Sequence, residues 1–185
     1  GQLVPGYHAR IVDHDRHEVP DGAPGELEVE GESTALLYCG DHAKSKRTFS
    51  GDLIRTGDLF LRDSDGYFWY QGRVDDLLKV GGVFVAPMEI EDCLREHSDV
   101  VECAVIGFHR DGLELPCAYV VTAGDGSPEL AEELRMFVRT NLSPHKYPRD
   151  IKFVDQLPLT PNGKIDRRAL KTADAGYLTR RLVDV

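Results

Sequence analysis

The chain has 185 residues, enough for one ordinary domain or two small ones. With 41% hydrophobic and 29% charged residues it has a globular balance, too apolar for a disordered chain. Its 32 acidic and 22 basic side chains give a formal charge of -10, which argues against a general nucleic-acid or anionic-membrane surface, so an anionic substrate needs a local basic site.

Cys39, Cys93, Cys103 and Cys117 form no C-x-x-C pair and no Cys/His spacing of a zinc site. Cys93 and Cys103 lie among apolar neighbours and read as buried reduced thiols, which suits a cytoplasmic protein. No apolar run approaches the roughly 20 residues of a membrane span. The start has no charged-then-apolar signal pattern, and opening on Gly1-Gln2-Leu3-Val4 without Met it reads as an excised fragment.

Residues 1–75 read as antiparallel β. His8 to Val12 is a short strand, and Asp13 to Gly25, with Pro20, Asp21-Gly22 and Pro24-Gly25, is rich in turn signals. Glu26-Leu27-Glu28-Val29-Glu30 alternates polar and apolar, the pattern of a half-buried strand. Leu59–Arg62 and Tyr67–Tyr70 flank Asp63-Ser64-Asp65-Gly66, a hairpin signal.

The character changes near Asp75, where Gly72-Arg73-Val74-Asp75-Asp76 has little apolar bulk and reads as a hinge. Pro87 opens a helix with Ile90, Cys93, Leu94 and His97 at helical spacing. Val100–Phe108 is a buried strand and Pro116–Thr122 a second. Ser127-Pro128 caps a second helix, whose stripe is Leu130, Leu134, Phe137 and Val138 and which ends before Pro144. Ile151–Val154 is a third strand, Leu157–Lys164 a loop, and the residues from about Thr172 a frayed end. The order predicts an α+β domain over 76–185, helices packed on a short sheet, after a β-rich piece over 1–75.

Four segments dense in Gly, charge and turn residues are the candidates for chemistry. In Arg55-Thr56-Gly57-Asp58, a carboxylate in a Gly-containing turn can accept two ribose hydroxyls or simply bond its own backbone. Between Gly72 and Gly82, Arg73 and Lys79 can meet phosphate or ribose, and Gly81-Gly82 permits close approach; an interdomain linker before an ordinary strand is the alternative. Around Lys164, Thr160-Pro161-Asn162-Gly163 forms a rigid loop tip. It is not a P-loop, because the upstream Gly is absent and Ile165 stands where Ser or Thr belongs. Lys164 there can neutralise charge in nucleotidyl transfer or stay solvated. His145-Lys146-Tyr147-Pro148-Arg149 is a basic loop or a solvated helix terminus. Asp63-Ser64-Asp65-Gly66 lacks the Gly position and closing Glu of a calcium loop, His14 and His17 have no supporting ligand, and no metal site is expected.

Taken in order, Arg55-Thr56-Gly57-Asp58, then Gly72-Arg73-Val74-Asp75-Asp76 with Lys79 and Gly82, then Pro158-Leu159-Thr160-Pro161-Asn162-Gly163-Lys164-Ile165 resemble three core motifs of the acyl-adenylate-forming superfamily, which includes acyl-CoA synthetases, carrier-protein adenylation domains and luciferases. The likeness runs from about Pro5 to Leu170 and covers the family's C-terminal part. Asp65–Arg73, Leu78–Glu91 and Lys146–Arg149 are most similar to benzoate-CoA ligases.

The resemblance implies an ATP-dependent acid–CoA ligase. The acid and ATP give acyl-AMP and pyrophosphate with Mg2+, and coenzyme A then takes the acyl group and releases AMP. It implies that Asp58 holds the ribose, Arg73 contacts ribose or phosphate, Asp75 is the hinge of a mobile domain, Lys164 serves adenylation, and Gly81 and Gly82 leave a passage for pantetheine. The aromatic acid, ATP and coenzyme A are the expected partners, with no nucleic acid or membrane. The Gly/Ser/Thr-rich phosphate loop and acid pocket are not found, so the chain alone is expected to be inactive. Loading of a carrier protein, or a non-catalytic binding fragment, are the alternative readings.

Overall fold

The computed structural model describes residues 1–110 and 112–174. The chain divides into two compact units, the second beginning at Asp76.

The first unit is built on one antiparallel sheet. Its strands are Tyr7–Val12 (β1), Pro24–Gly31 (β2), Phe49–Ser50 (β3), Leu53–Arg62 (β4) and Phe68–Arg73 (β5). The order is β1-β2-β4-β3, and β5 also pairs with β4. Asp63 closes the β4–β5 turn by accepting the N–H groups of Asp65 and Tyr67 at 3.0 and 2.8 Å. The alternation in β2 has an unexpected consequence. Glu28 is the buried residue, 1% exposed. Arg10 and Arg16 reach it at 2.7 and 3.0 Å and Arg55 at 3.6 Å, so the charge is buried with partners rather than by apolar cover. A helix, His42–Thr48 (α1), buries no residue. It has no apolar period to betray it; its signal is Asp41, whose side chain accepts from Lys44 N at 2.9 Å.

The second unit follows a short 3-10 turn at Val74–Asp76. Leu78–Val80 (β6) and Val83–Val85 (β7) form a hairpin, Pro87–Arg95 (α2) follows, and then Val100–Arg110 (β8), Leu113–Thr122 (β9), Pro128–Asn141 (α3), Asp150–Phe153 (β10) and Arg167–Asp174 (α4). The three-stranded sheet has the order β10-β9-β8, with β8 antiparallel and β10 parallel to β9. Alternate residues serve two cores. Cys103, Val105, Ala118 and Val120 pack with Ile90 and Leu94 of α2 and with Leu134 and Val138 of α3. Ala104, Ile106, Cys117 and Tyr119 pack with Leu157 and with Leu170 of α4. A sheet covered on both faces needs the near-continuous apolar run seen in β8.

Local signals end the elements where the chemistry requires. Pro87 starts α2 without a side-chain cap. Ser127 accepts from Leu130 N at 3.1 Å to start α3, which stops at Asn141, before Pro144. The residues from Thr172, read from sequence as a frayed end, belong to α4 as far as Asp174; those beyond lie outside the described residues. α4 has little apolar content, yet Leu170 is fully buried and Asp166 caps the helix through Arg168 N and Ala169 N, both at 3.0 Å.

Candidate active site

Arg55-Thr56-Gly57-Asp58 is not a turn, as its composition suggested, but a bulge inside β4. The register steps from Leu59 opposite Glu26 to Arg55 opposite Glu28, so Thr56, Gly57 and Asp58 answer to Leu27 alone. Gly57 takes φ +69, which a side chain tolerates poorly, and a Cβ there would lie 3.1 Å from the Arg73 guanidinium. Thr56 stabilises the bulge from within: its hydroxyl donates to Leu27 O at 2.8 Å and accepts from Asp58 N at 3.1 Å. Bulges re-aim side chains, and this one sets Asp58 across from Arg73 of β5.

There Arg73 Nη1 lies 2.5 Å from Asp58 Oδ1 and 3.2 Å from Thr56 O. Burial opposes the charge on the Arg73 guanidinium, but the hydrogen bond and charge of Asp58 outweigh it and its pKa is raised. Both groups remain open to solvent, with side chains 45% and 31% exposed for Arg73 and Asp58. A carboxylate and a guanidinium side by side at an open rim can present acceptor and donor to a sugar or phosphate.

The other candidates lie in the second unit. Gly81 and Gly82 are the two turn residues of the β6–β7 hairpin, with φ +58 and +87. Both being left-handed marks a type I′ turn, which matches strand twist and favours Gly. Nothing lies within 4 Å of a Cβ at either position, so the hairpin tip is open. Lys79, on β6, is held by its backbone N–H to Glu114 Oε2 at 2.8 Å and keeps its side chain exposed.

Lys164 stands at the tip of the β10–α4 connection with its side chain exposed. Thr160 N donates to Lys164 O at 2.7 Å and Gly163 N to Thr160 O at 2.9 Å, closing a tight turn. Leu159 bridges to Ile165 beneath it. The loop is therefore built, not slack. The His145–Arg149 loop is tied down too: Lys146 Nζ meets Glu89 Oε1 at 2.6 Å, and Arg149 lies 4.1 Å from the Tyr147 ring centre. Among the described residues no group of three His, Cys, Asp or Glu side chains could hold a metal ion. Nor is any described helix long and apolar enough to cross a membrane.

Sequence reading missed Glu91 and Arg167. Glu91 is 3% exposed. Its carboxylate accepts from Val105 N at 2.7 Å and from Arg167 Nη1 and Nη2 at 2.6 and 3.0 Å. Arg167 Nη1 also donates to Val105 O at 2.8 Å, and its Nε lies 3.6 Å from Asp76 Oδ2. The available signal was Glu91 itself, a charge adjoining the apolar stripe of α2. Its partner, 76 positions away, could not be read locally.

Residues 89–164 match the AMP-binding enzyme C-terminal domain family. The chain is 44% identical to the benzoate–CoA ligase of Thauera aromatica over 177 residues, covering 94% of this chain and 34% of that protein. It is 41% identical to the 4-hydroxybenzoate–CoA/benzoate–CoA ligase of Rhodopseudomonas palustris, covering 95% and 33%. The crystal structure of a benzoate CoA ligase from Burkholderia xenovorans LB400 superposes with a TM-score of 0.85 at 46% identity, over 92% of this chain and 35% of that one. An anthranilate CoA ligase solved with anthranoyl-AMP gives 0.86 at 39% identity, over 98% and 35%. The chain thus spans about a third of the length of the relatives it matches. These likenesses and the three motifs agree: residues 89–164 match the AMP-binding enzyme C-terminal domain family, and nearly the whole chain is similar to part of the acyl-adenylate-forming CoA ligases.

Proposed function

We propose that the chain is the nucleotide- and thiol-handling part of an AMP-forming acid–CoA ligase for benzoate or a related aromatic acid, working in the cytoplasm. The carrying observation is the Asp58–Arg73 pair set by the β4 bulge, in a chain 44% identical to a benzoate–CoA ligase. On this reading the carboxylate of the acid attacks the α-phosphorus of ATP and pyrophosphate leaves. The thiol of coenzyme A then attacks the acyl carbon, and AMP leaves with the bonding electrons.

Each residue has a role that its setting supports. Asp58 accepts the ribose hydroxyls, and Arg73 holds Asp58 in place and contacts ribose or phosphate. Lys164 brings one positive charge to a step that joins two anions, where a unit charge at 4 Å is worth about 4 kcal/mol at an effective dielectric near 20. Gly81 and Gly82 leave room for the pantetheine arm. Asp75, at the boundary of the units, is the hinge. Mg2+ comes with the triphosphate, which suits an ion that binds through phosphate oxygens and retained waters. None of the four cysteines forms a disulfide, which suits a reducing compartment. Ile11, Val12 and Leu59 are the buried hydrophobic residues of the first unit, while Leu36 and Trp69 are 82% and 53% exposed. So thin a core supports reading residues 1–75 as the last portion of a larger adenylating domain.

The test is to incubate the protein in its native length with ATP, Mg2+, benzoate and coenzyme A and look for benzoyl-CoA by mass spectrometry, with Lys164→Ala alongside. A thioester that fades in the variant is expected. Pyrophosphate release without thioester would instead indicate a carrier-protein acceptor, and no adenylation of any aromatic acid would refute the ligase reading.

A further inference from the structure

Val105 lies in β8, an edge strand of the three-stranded sheet. Its N–H and C=O face away from β9 and need partners. Glu91 of α2 accepts from the N–H at 2.7 Å, and Arg167, the first residue of α4, donates to the C=O at 2.8 Å. The two side chains also bind each other through two parallel hydrogen bonds of 2.6 and 3.0 Å. They therefore replace the missing neighbouring strand and fasten the start of α4 to the sheet edge. Leu157 and Leu170 sink the loop and helix into the core, but apolar contacts are not directional. A planar guanidinium held by a carboxylate fork fixes an angle as well as a depth.

Arg167 follows Lys164 closely, with Ile165 in the bridge to Leu159 and Asp166 donating its N–H to Pro158 O at 2.8 Å. There is no slack residue between the anchor and the loop tip. We propose that Arg167 and Glu91 are positioning residues for Lys164, setting the direction in which its ammonium is presented during adenylation. The inference rests on the reading of Lys164 given above.

The test separates the two half-reactions in the native-length protein. Adenylation is followed by ATP–pyrophosphate exchange, and thioester formation from supplied benzoyl-AMP. Arg167→Lys keeps the charge but loses the fork. It is expected to lower kcat for exchange by about 10- to 100-fold, the cost of misplacement by about an ångström. KM for ATP and the rate from benzoyl-AMP should stay unchanged. In a Lys164→Ala background the same substitution should add nothing. Should Arg167→Lys fail to fold, Glu91→Gln, which keeps the shape and the bond to Val105, carries the same expectations. Full exchange in Arg167→Lys or Glu91→Gln, while Lys164→Ala has lost it, overturns the positioning role and leaves Lys164 intact. Equal losses in both half-reactions reduce the pair to a structural brace and also overturn the proposal. Full exchange in Lys164→Ala overturns the reading of Lys164, and the proposal with it.

Discussion

Replacing Asp58 by Ala separates a binding role from a structural one, because the structure gives the two very different weights. The pair with Arg73 lies at an open rim, with side chains 31% and 45% exposed. Such a pair is worth roughly 0–1 kcal/mol to folding, which lowers Tm by at most about 4–8 °C in a small domain. Arg73 also keeps Thr56 O at 3.2 Å, so its charge is not stranded. Ribose hydroxyls bound to a carboxylate are different. A hydrogen bond to a charged group is worth about 1.5–3 kcal/mol, so losing two costs at least about 3 kcal/mol and weakens nucleotide binding on the order of 100-fold. Calorimetric titration of ATP into the native-length protein, with melts of both forms, gives the two quantities together. A nearly unchanged Tm with affinity lost is the expected result. Affinity within threefold of wild type would remove Asp58 from the nucleotide site. A collapse of Tm beyond about 10 °C would show that the bulge needs the pair to exist at all.

Other expectations follow from single contacts. Gly82→Ala meets no atom within 4 Å but must hold φ +87. It should cost roughly 1–2 kcal/mol of stability and slow thioester formation from supplied benzoyl-AMP while leaving pyrophosphate exchange in place. Leu134→Ala removes a fully buried side chain between α3 and the sheet. Urea unfolding should show about 2–5 kcal/mol of lost stability. Asp63 accepts Trp69 Nε1 at 2.7 Å as well as the turn N–H groups, and these bonds, Trp69 first, hold its pKa below the ordinary 3.8. A lowered carboxylate pKa stabilises above the unfolded value and ceases to do so as pH falls through the folded one. The stability gap between wild type and Asp63→Asn should thus hold from neutrality to about pH 4 and close below it; a gap that widens in acid would contradict the assignment.

The amino-acid sequence by itself determined whatever depends on neighbours along the chain. The apolar run Val100–Phe108, the Ser127-Pro128 cap and the Asp-Gly turn after Leu59–Arg62 carry local energetic preferences, so those strands and helices were legible. The Thr160–Lys164 loop tip was legible for the same reason, since Pro, Asn and Gly restrict backbone angles wherever they stand. α1 and α4 were not, because α1 carries no apolar face and that of α4 is only Ala169, Leu170 and Ala173, too short to stand out from its charged surroundings; Asp41 and Asp166 start them by capping, and Leu170 holds α4 only once a sheet exists to receive it. Composition also misread Thr56-Gly57-Asp58 as a turn, because Gly with positive φ serves bulges as readily as turns, and only the pairing of β4 with both β2 and β5 distinguishes them. The buried charges belong wholly to tertiary structure. Glu28 and Glu91 look like surface residues by type. Each can be buried only because arginines distant in sequence converge on it, at 2.7 Å from Arg10 and 2.6 Å from Arg167. Desolvating a carboxylate costs several kcal/mol unless it is matched, and the match is supplied by the fold.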